Sequence, residues 1–358
     1  GAALLALECA CASKPAPHPA AKTQATVVVA APRPAVPPPP VAPAPPPEPP
    51  KTESREERLV GKMLERVSHA RGLKSKRAVP GVVLDRDALM AQVKSHVDRE
   101  VPHDAISHEG LALQLLGFVP WRFDYEAATY ALLEAQLAGF YEPADGTMYM
   151  AADLDDENAS ATLAHELVHA LQDQYWDLAP HSKYEPGQDD KSSAFSALAE
   201  GDATSAMADI LIGMAKPGSS ALDLPDELFV QQVVGGMSAG ATAKAPHYMR
   251  MGLVAPYIDG TLFVHALRRK GGWAAVNHAW ERPPDTTEQV LHIEKWEKHE
   301  PALAVAAPTF GALGAGWSEA QSDTYGELGV RLALGEWVGA GMAGPLSMGW
   351  GGDRGVLV

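Results

Sequence analysis

Residues 14–52 consist largely of proline, alanine and valine, and they include the runs Pro37–Pro40 and Pro45–Pro47. Proline restricts its own φ angle and has no backbone N–H to donate, so this stretch cannot build a regular helix or sheet. Chains of this composition form semi-rigid polyproline II spacers. We therefore predict a disordered Pro/Ala-rich linker over 14–52 and a single folded domain over 53–358.

Residues 1–13, ahead of the linker, are small and apolar up to Leu7, and Cys9 and Cys11 follow closely. This pattern resembles the end of a secretory signal or of a lipoprotein leader, in which a cysteine accepts the lipid. Glu8 departs from the pattern, because the residues before such a cysteine are small and apolar. We expect an exported protein of the cell envelope or the extracellular space. Such a protein could be attached to the membrane through a lipidated Cys9 or Cys11. The alternative is a disordered leader with two incidental cysteines.

Charge and cysteine content exclude several classes of protein. The chain carries 29 Lys and Arg against 45 Asp and Glu, a formal net charge of −16, so we predict no nucleic-acid partner. Both cysteines precede the folded domain, which excludes a disulfide framework, a cysteine nucleophile and a thiolate metal site there.

No apolar run approaches the roughly 20 residues that span a bilayer. No Gly-x-Gly-x-x-Gly motif follows a predicted strand, so we expect no nucleotide.

Hydrophobic spacing predicts the elements of the folded domain. Apolar residues recur at helical spacing over 54–73, 85–101, 105–118 and 125–137. The period then changes, and two short apolar runs flank the turn Pro143–Gly146, which predicts a β-hairpin over 139–150. A long helix follows to about residue 175, with Asp155, Asp156 or Asn158 as its N-cap. We expect an α+β fold that is mostly helical, with a small sheet or edge hairpin ahead of this helix.

The segment His165-Glu166-Leu-Val-His169 of that helix carries the strongest chemical pattern in the chain. Residues i and i+4 lie on one helix face, so both histidines can reach one metal ion. Glu166 lies beside them and could take a proton from a water held by that ion. The alternative is an ordinary surface helix. Its polar face would consist of Thr162, His165, Glu166, His169, Gln172 and Asp173.

A catalytic zinc ion needs a third protein ligand and an open position for water. Without cysteine, that ligand must be His, Asp or Glu. Glu200 lies in a predicted helix over 192–214 that is rich in alanine, serine and glycine, and small side chains let two helices approach closely. We therefore favour Glu200 as the third ligand, with a solvated carboxylate as the alternative. Asp202 and Asp173 either orient a ligand histidine or are plain surface carboxylates.

These residues resemble the active-site helix of thermolysin and of the wider gluzincin class of zinc metallopeptidases. That class takes its third ligand from a glutamate on a later helix, which would be Glu200 here. Glu200 follows His169 by 31 residues, farther than in thermolysin, and Glu-Gly-Asp replaces the Glu-x-x-x-Asp pattern. A longer pattern, roughly over 139–354, is similar to a group of bacterial exported gluzincin-like proteins. The matching stretches are 165–174, 199–204, 283–292 and 349–354.

The resemblance implies a zincin-like metallopeptidase domain with one catalytic Zn²⁺, held by His165, His169 and Glu200. It also implies an edge strand that pairs with an extended peptide substrate. Thr147–Met150, the second strand of the predicted hairpin, is our candidate for that role. The alternative is an ordinary structural hairpin.

The predicted reaction is peptide-bond hydrolysis, in which a zinc-bound water attacks the scissile carbonyl with Glu166 as general base. The oxyanion that forms needs a further donor. We favour His292 for that role and take Tyr257 as the second choice. The other donors downstream of the motif are His247, Tyr248, His265 and His278.

Two other functions stay open. A hydrolase that resembles peptide deformylase would take a cysteine as its third ligand, and the folded domain has none. A non-catalytic, zinc-containing protein of the cell envelope would hold a structural or vestigial site. A structural zinc is closed by four protein ligands and would not need Glu166. The expected partner is a peptide or protein substrate, and we predict no obligate protein partner.

Overall fold

The computed structural model describes residues 55–236 and 244–358, and only the backbone of 55, 56 and 232–236. The predicted leader over 1–13, with Cys9 and Cys11, and the linker over 14–52 lie outside the described residues. The described part is mostly helical and contains two small sheets, which confirms a mostly helical α+β fold. None of its helices is both long and apolar enough to cross a membrane.

The predicted helices are present within a few residues of their expected bounds. The helices before the hairpin are α1 (Arg55–Arg71), α2 (Arg86–Glu100), α3 (His103–Leu116) and α4 (Tyr125–Gln136). The helices after it are α5 (Asp156–Trp176), α6 (Asp189–Ala215), α7 (Asp226–Gly236), α8 (His247–Glu281), α9 (Thr287–Leu291), α10 (Ile293–Lys298), α11 (Gly326–Val338) and α12 (Ala340–Ser347).

Aspartate side chains cap three of these helices. Asp85, Asp124 and Asp155 each accept a hydrogen bond from the backbone N–H three residues later, at the start of α2, α4 and α5. A cap of this kind stabilises a helix by about 1 kcal/mol. Of the three caps predicted for α5, Asp155 is therefore the one that sets where the helix begins.

The first sheet contains three strands, β1 (Gly81–Leu84), β2 (Gly139–Glu142) and β3 (Thr147–Ala151). Strands β2 and β3 form the predicted hairpin and pair antiparallel. Strand β1 pairs parallel with the opposite side of β3, so the order is β1-β3-β2. The second sheet pairs β4 (Gln321–Asp323) with β5 (Gly355–Leu357), antiparallel.

This order corrects the prediction that Thr147–Met150 is the edge strand. Strand β3 is central, because β1 covers the side that the hairpin alone leaves open. The edge strand next to α5 is β2. The prediction was wrong because β1 is only four residues long and lies far from the hairpin in the sequence, so no local pattern indicated that it pairs with β3.

Helix α6 packs against both α5 and α8. Helix α5 buries Leu163, Leu167 and Leu171 against neighbouring elements, while its opposite side carries the polar residues of the motif. Helix α8 consists of two helical segments that meet at Gly271 and Gly272. Its backbone leaves the helical region at both glycines, and Gly272 has a φ of +60°, so the helix changes direction there.

Candidate metal centre

Three side chains converge between α5 and α6. His165 and His169 project from one face of α5, and Glu200 projects from α6. One ligand atom from each of these residues lies within 4.8 Å of the other two. His165 Nε2 lies 3.0 Å from Glu200 Oε2 and 3.1 Å from His169 Nε2, and His169 Nε2 lies 3.5 Å from Glu200 Oε1. The three residues could hold a metal ion.

The spacing of these atoms fits a small tetrahedral ion. Ligands placed about 2.0–2.1 Å from zinc in a tetrahedron lie roughly 3.3 Å apart. The observed separations of 3.0–3.5 Å bracket that value. The two histidine nitrogens also face each other, which repels unless a proton or a cation lies between them. The donor set, two imidazoles and one carboxylate, is the set that catalytic zinc takes in peptidases.

The charges of the donor set are coupled. Burial alone would raise the pKa of Glu200, but the two histidines outweigh burial and lower it to about 2. Burial alone would lower the pKa of His169, but Glu200 reverses the shift and raises it to about 9. The carboxylate therefore stays ionised, and it attracts a positive charge to the position between the histidines.

Glu166 lies at the same place but takes no part in the ligand triangle. Its Oε2 accepts a hydrogen bond from the backbone N–H of Tyr141, at 3.0 Å, on the edge strand β2. Burial raises the pKa of Glu166 above its ordinary value, and the neighbouring histidines oppose that shift. A carboxylate with a raised pKa beside a ligand triangle is suited to accept and return a proton.

A cavity of about 350 Å³ opens beside the ligands. His165, Glu166, His169 and Glu200 line it together with the start of β2. Most of the remaining lining is apolar and includes Val93, Leu133, Leu137, Met207 and Leu253. The site thus has open space on one side of the ligand triangle.

Tyr257 lines this cavity from α8, and its ring centre lies 6.0 Å from that of His165. The second choice for an oxyanion donor is therefore at the site. His292, the first choice, is not among the lining residues. It lies between α9 and α10, and its Nε2 lies 2.9 Å from Oε2 of Glu327 on α11. The structure does not bring His292 to the cavity, because the bond to Glu327 holds it against α11.

The other histidines and the tyrosine considered as donors also lie apart from the cavity. His247 pairs with Glu336, and His265 with Asp226. Tyr248 is buried and stacks on Phe118. His278 is exposed near Glu281.

Asp202 and Asp173 do not touch a ligand histidine directly. Asp202 accepts a hydrogen bond from Gln172 Nε2, at 3.2 Å, and the other end of Gln172 contacts His169 Nδ1, at 2.8 Å. Asp173 accepts from the hydroxyl of Tyr141, at 2.8 Å, and so ties α5 to β2. Sequence reasoning noted Gln172 as part of the polar face and missed its contact with His169. The helical spacing i and i+3 was the available indication.

Two glycines let α6 and α8 meet at their backbones. A Cβ on Gly201 would lie 2.1 Å from the backbone of Gly260, and a Cβ on Gly260 would lie 1.9 Å from the carbonyl oxygen of Ala197. Any side chain at either position would push the helices apart. Gly201 follows the ligand Glu200, and Gly260 lies one turn after Tyr257. The close approach therefore places the ligand and the tyrosine at one cavity.

Residues 236–240, Gly-Met-Ser-Ala-Gly, match the Gly-x-Ser-x-Gly pattern of serine hydrolases. That pattern functions where a strand turns sharply into a helix. Here it follows the helix α7, and residues 237–243 lie outside the described part of the chain. Among the described residues, the element that precedes the motif is a helix and not the strand that its usual chemistry requires.

Comparison with known proteins gives no match for this chain among protein-family models, curated proteins or solved structures.

Proposed function

We propose that the protein is a zinc-dependent peptidase with a zincin-like catalytic domain. The observation that carries this proposal is the convergence of His165, His169 and Glu200 at a cavity that also contains Glu166. Two histidines and a glutamate make the donor set of catalytic rather than structural zinc sites. Zinc bound there would polarise a carbonyl group and increase the acidity of a water molecule.

Glu166 is the general base of the proposed reaction. Its carboxylate lies next to the ligand triangle and is held by the N–H of Tyr141. A proton taken from the attacking water can pass from Glu166 to the leaving amine, which must be protonated before the peptide bond breaks. The raised pKa of Glu166 favours its service as both acceptor and donor.

Strand β2 is the proposed binding edge for an extended peptide. Along an edge strand of an antiparallel pair, the backbone N–H and C=O groups of successive residues point alternately toward the partner strand and away from it. The N–H of Tyr141 faces Glu166, which places it on the outward side, and Gly139 has the same orientation two residues earlier. Gly139 and Phe140 line the cavity. A peptide paired with this edge would lie across the ligands.

Tyr257 is the proposed donor to the oxyanion. Its ring lies beside His165, on the wall of the same cavity. A phenol hydroxyl can donate to an oxygen that gains negative charge, and such donors contribute about 10²–10³-fold to the rate.

The test is peptide turnover by the zinc-loaded full chain, its Glu166→Gln variant and its Glu157→Gln variant, each incubated with a mixed peptide library. Glu157 is exposed in the first turn of the same helix, so it is a matched control. We expect Glu166→Gln to lower kcat by about 10²–10⁴-fold while zinc stays bound, and Glu157→Gln to change little. Equal turnover by all three proteins would remove Glu166 from the mechanism. Zinc binding without turnover in the parent would favour the non-catalytic envelope protein.

A further inference from the structure

A buried chain of hydrogen bonds runs from the ligand His169 through Gln172 and Asp202 to Arg71 on α1. His169 Nδ1 contacts Gln172 Oε1 at 2.8 Å, and Gln172 Nε2 contacts the carbonyl oxygen of Ala199 at 3.0 Å and Asp202 Oδ2 at 3.2 Å. Both Gln172 and Asp202 are 0% exposed. Because water does not reach these groups, each must find its partners within the protein.

The partners of Gln172 determine which way its amide points. A backbone carbonyl and a carboxylate only accept hydrogen bonds, so the NH₂ group of the amide must face Ala199 and Asp202. The amide oxygen then faces His169. An oxygen only accepts, so Nδ1 of His169 must carry a hydrogen. Nε2, the nitrogen that faces His165 and Glu200, is then the only ring nitrogen of His169 that can give a lone pair to a metal ion.

Asp202 also accepts hydrogen bonds from two further donors. The Nε of Arg71 donates to Oδ1, and the indole N–H of Trp280 donates to Oδ2 at 2.8 Å. Arg71 is itself 0% exposed, and its guanidinium lies over the ring of Trp273 at 4.4 Å. An arginine stays protonated at any physiological pH, so it keeps Asp202 an acceptor. The order of donors and acceptors is therefore fixed from Arg71 to His169.

We propose that Gln172 is a positioning residue, which holds His169 with its proton on Nδ1 and its Nε2 lone pair directed at the metal. Asp202 and Arg71 prevent the amide from turning over. This inference rests on the zinc site of the proposed function. Partners that hold the distal nitrogen of a ligand histidine typically change metal affinity about 10–100-fold.

The matched pair for the test is Gln172→Met and Gln174→Met. Gln174 lies on the same helix and is also buried, but its Oε1 accepts from the backbone N–H groups of Lys76, at 2.7 Å, and Arg77, at 3.1 Å. It holds the segment after α1 and does not contact a histidine. Both substitutions replace a buried amide by an apolar chain of similar length, so both lower the thermal stability of the metal-free chain.

The measurement is the Kd for Zn²⁺ of the full chain and both variants, by competition with a chromophoric chelator. The visible spectrum of bound Co²⁺ gives the geometry of the site. We expect Gln172→Met to raise the Kd about 10–100-fold and to change the Co²⁺ spectrum, and Gln174→Met to leave both near the parent values. A Kd for Gln172→Met equal to that of Gln174→Met would overturn the inference.

A second measurement keeps the inference testable if Gln172→Met does not fold. The ¹⁵N chemical shifts of His169 in the zinc-loaded parent report which ring nitrogen carries the hydrogen. A hydrogen on Nδ1 is expected, and a metal-bound Nδ1 would overturn the inference. Peptide turnover enters neither measurement. If the parent binds zinc but cleaves no peptide, the proposed function is wrong, and the role of Gln172 is still tested by the Kd for Zn²⁺. If the parent binds no zinc, both the proposed function and the role of Gln172 are wrong.

Discussion

Two regions of the described part of the chain pair a histidine with a buried glutamate. They differ in the number of histidines and in whether a cavity lies beside the pair. In the candidate metal centre, Glu200 faces two histidine nitrogens, and all three side chains line a cavity. In the C-terminal region, Glu327 pairs with the single histidine His292 and also accepts from the hydroxyl of Ser347. The second pair joins α9, α11 and α12 and does not line that cavity. A histidine and a glutamate in contact therefore indicate a metal site only when a third donor and open space accompany them.

The largest effect should come from removing one histidine of each region. We expect His165→Ala to raise the Kd for Zn²⁺ at least about 10³-fold, beyond what an indirect partner costs, because it removes a ligand. His292→Ala should leave the Kd unchanged and lower the free energy of unfolding by about 1–3 kcal/mol, because Glu327 loses its partner in a buried place. Chelator competition and denaturant unfolding measure the two quantities. Loss of zinc binding in His292→Ala with an intact fold would show that the C-terminal region takes part in the site.

The glycine contact between α6 and α8 should give the next largest effect. Gly260→Ala places a Cβ against the backbone of α6, so we expect it to lower the free energy of unfolding by about 3 kcal/mol and to weaken zinc binding as Glu200 moves. Gly213→Ala is the control on α6, because its Cβ would meet no atom closer than 3.8 Å. It should stabilise the protein by up to about 1 kcal/mol, since alanine favours helix over glycine. Equal stability of the two variants would contradict the close approach of the helices.

Tyr257→Phe tests the donor that replaces His292 in our account. We expect kcat for a peptide to fall by about 10²-fold, with little change in KM, because the lost hydrogen bond forms only as the oxyanion develops. Tyr175→Phe is the control, since its hydroxyl donates to the carbonyl oxygen of Lys74, at 2.9 Å, away from the cavity. Turnover by Tyr257→Phe at the parent rate would exclude the hydroxyl from the reaction.

The smallest effect concerns pH and compares two carboxylates of α6. The histidines lower the pKa of Glu200 to about 2, whereas burial raises the pKa of Asp190 to about 6 although Thr287 donates to it. An aspartate with a raised pKa binds its proton more tightly in the folded state, so the stability it contributes is present at low pH. That stability is lost as pH rises from about 4 to about 6. Asp190→Asn removes the loss, so the melting temperature of the variant relative to the parent should rise by a few degrees over this interval. A constant difference would contradict the shift.

Features of the structure that depend on residues close together in the sequence could be predicted from it. His165 and His169 are separated by one helical turn, so their common face follows from the spacing alone. The hairpin follows from local pattern in the same way, and local pattern limits the cap of α5 to Asp155, Asp156 or Asn158. Glu200 could be named because the chemistry of zinc leaves few residue types.

Features set by contacts between distant segments could not be predicted. The central position of β3 depends on β1, which lies more than fifty residues earlier. His292 pairs with Glu327, which lies 35 residues later, and the spacing of apolar residues does not predict such a contact. Tyr257 lies at the cavity because Gly201 and Gly260 let α6 and α8 approach closely. The role of Gln172 depends on Ala199 and Asp202, which belong to another helix.

The most direct test of the account is the amount of zinc bound per chain, by elemental analysis, in the full chain and two variants. Glu200→Ala removes the buried glutamate of the metal centre, and Glu327→Gln alters that of the C-terminal region. The account predicts about one zinc in the parent and in Glu327→Gln, and clearly less in Glu200→Ala. A parent without zinc after zinc is offered and the excess removed, or a Glu200→Ala variant with as much zinc as the parent, would contradict it.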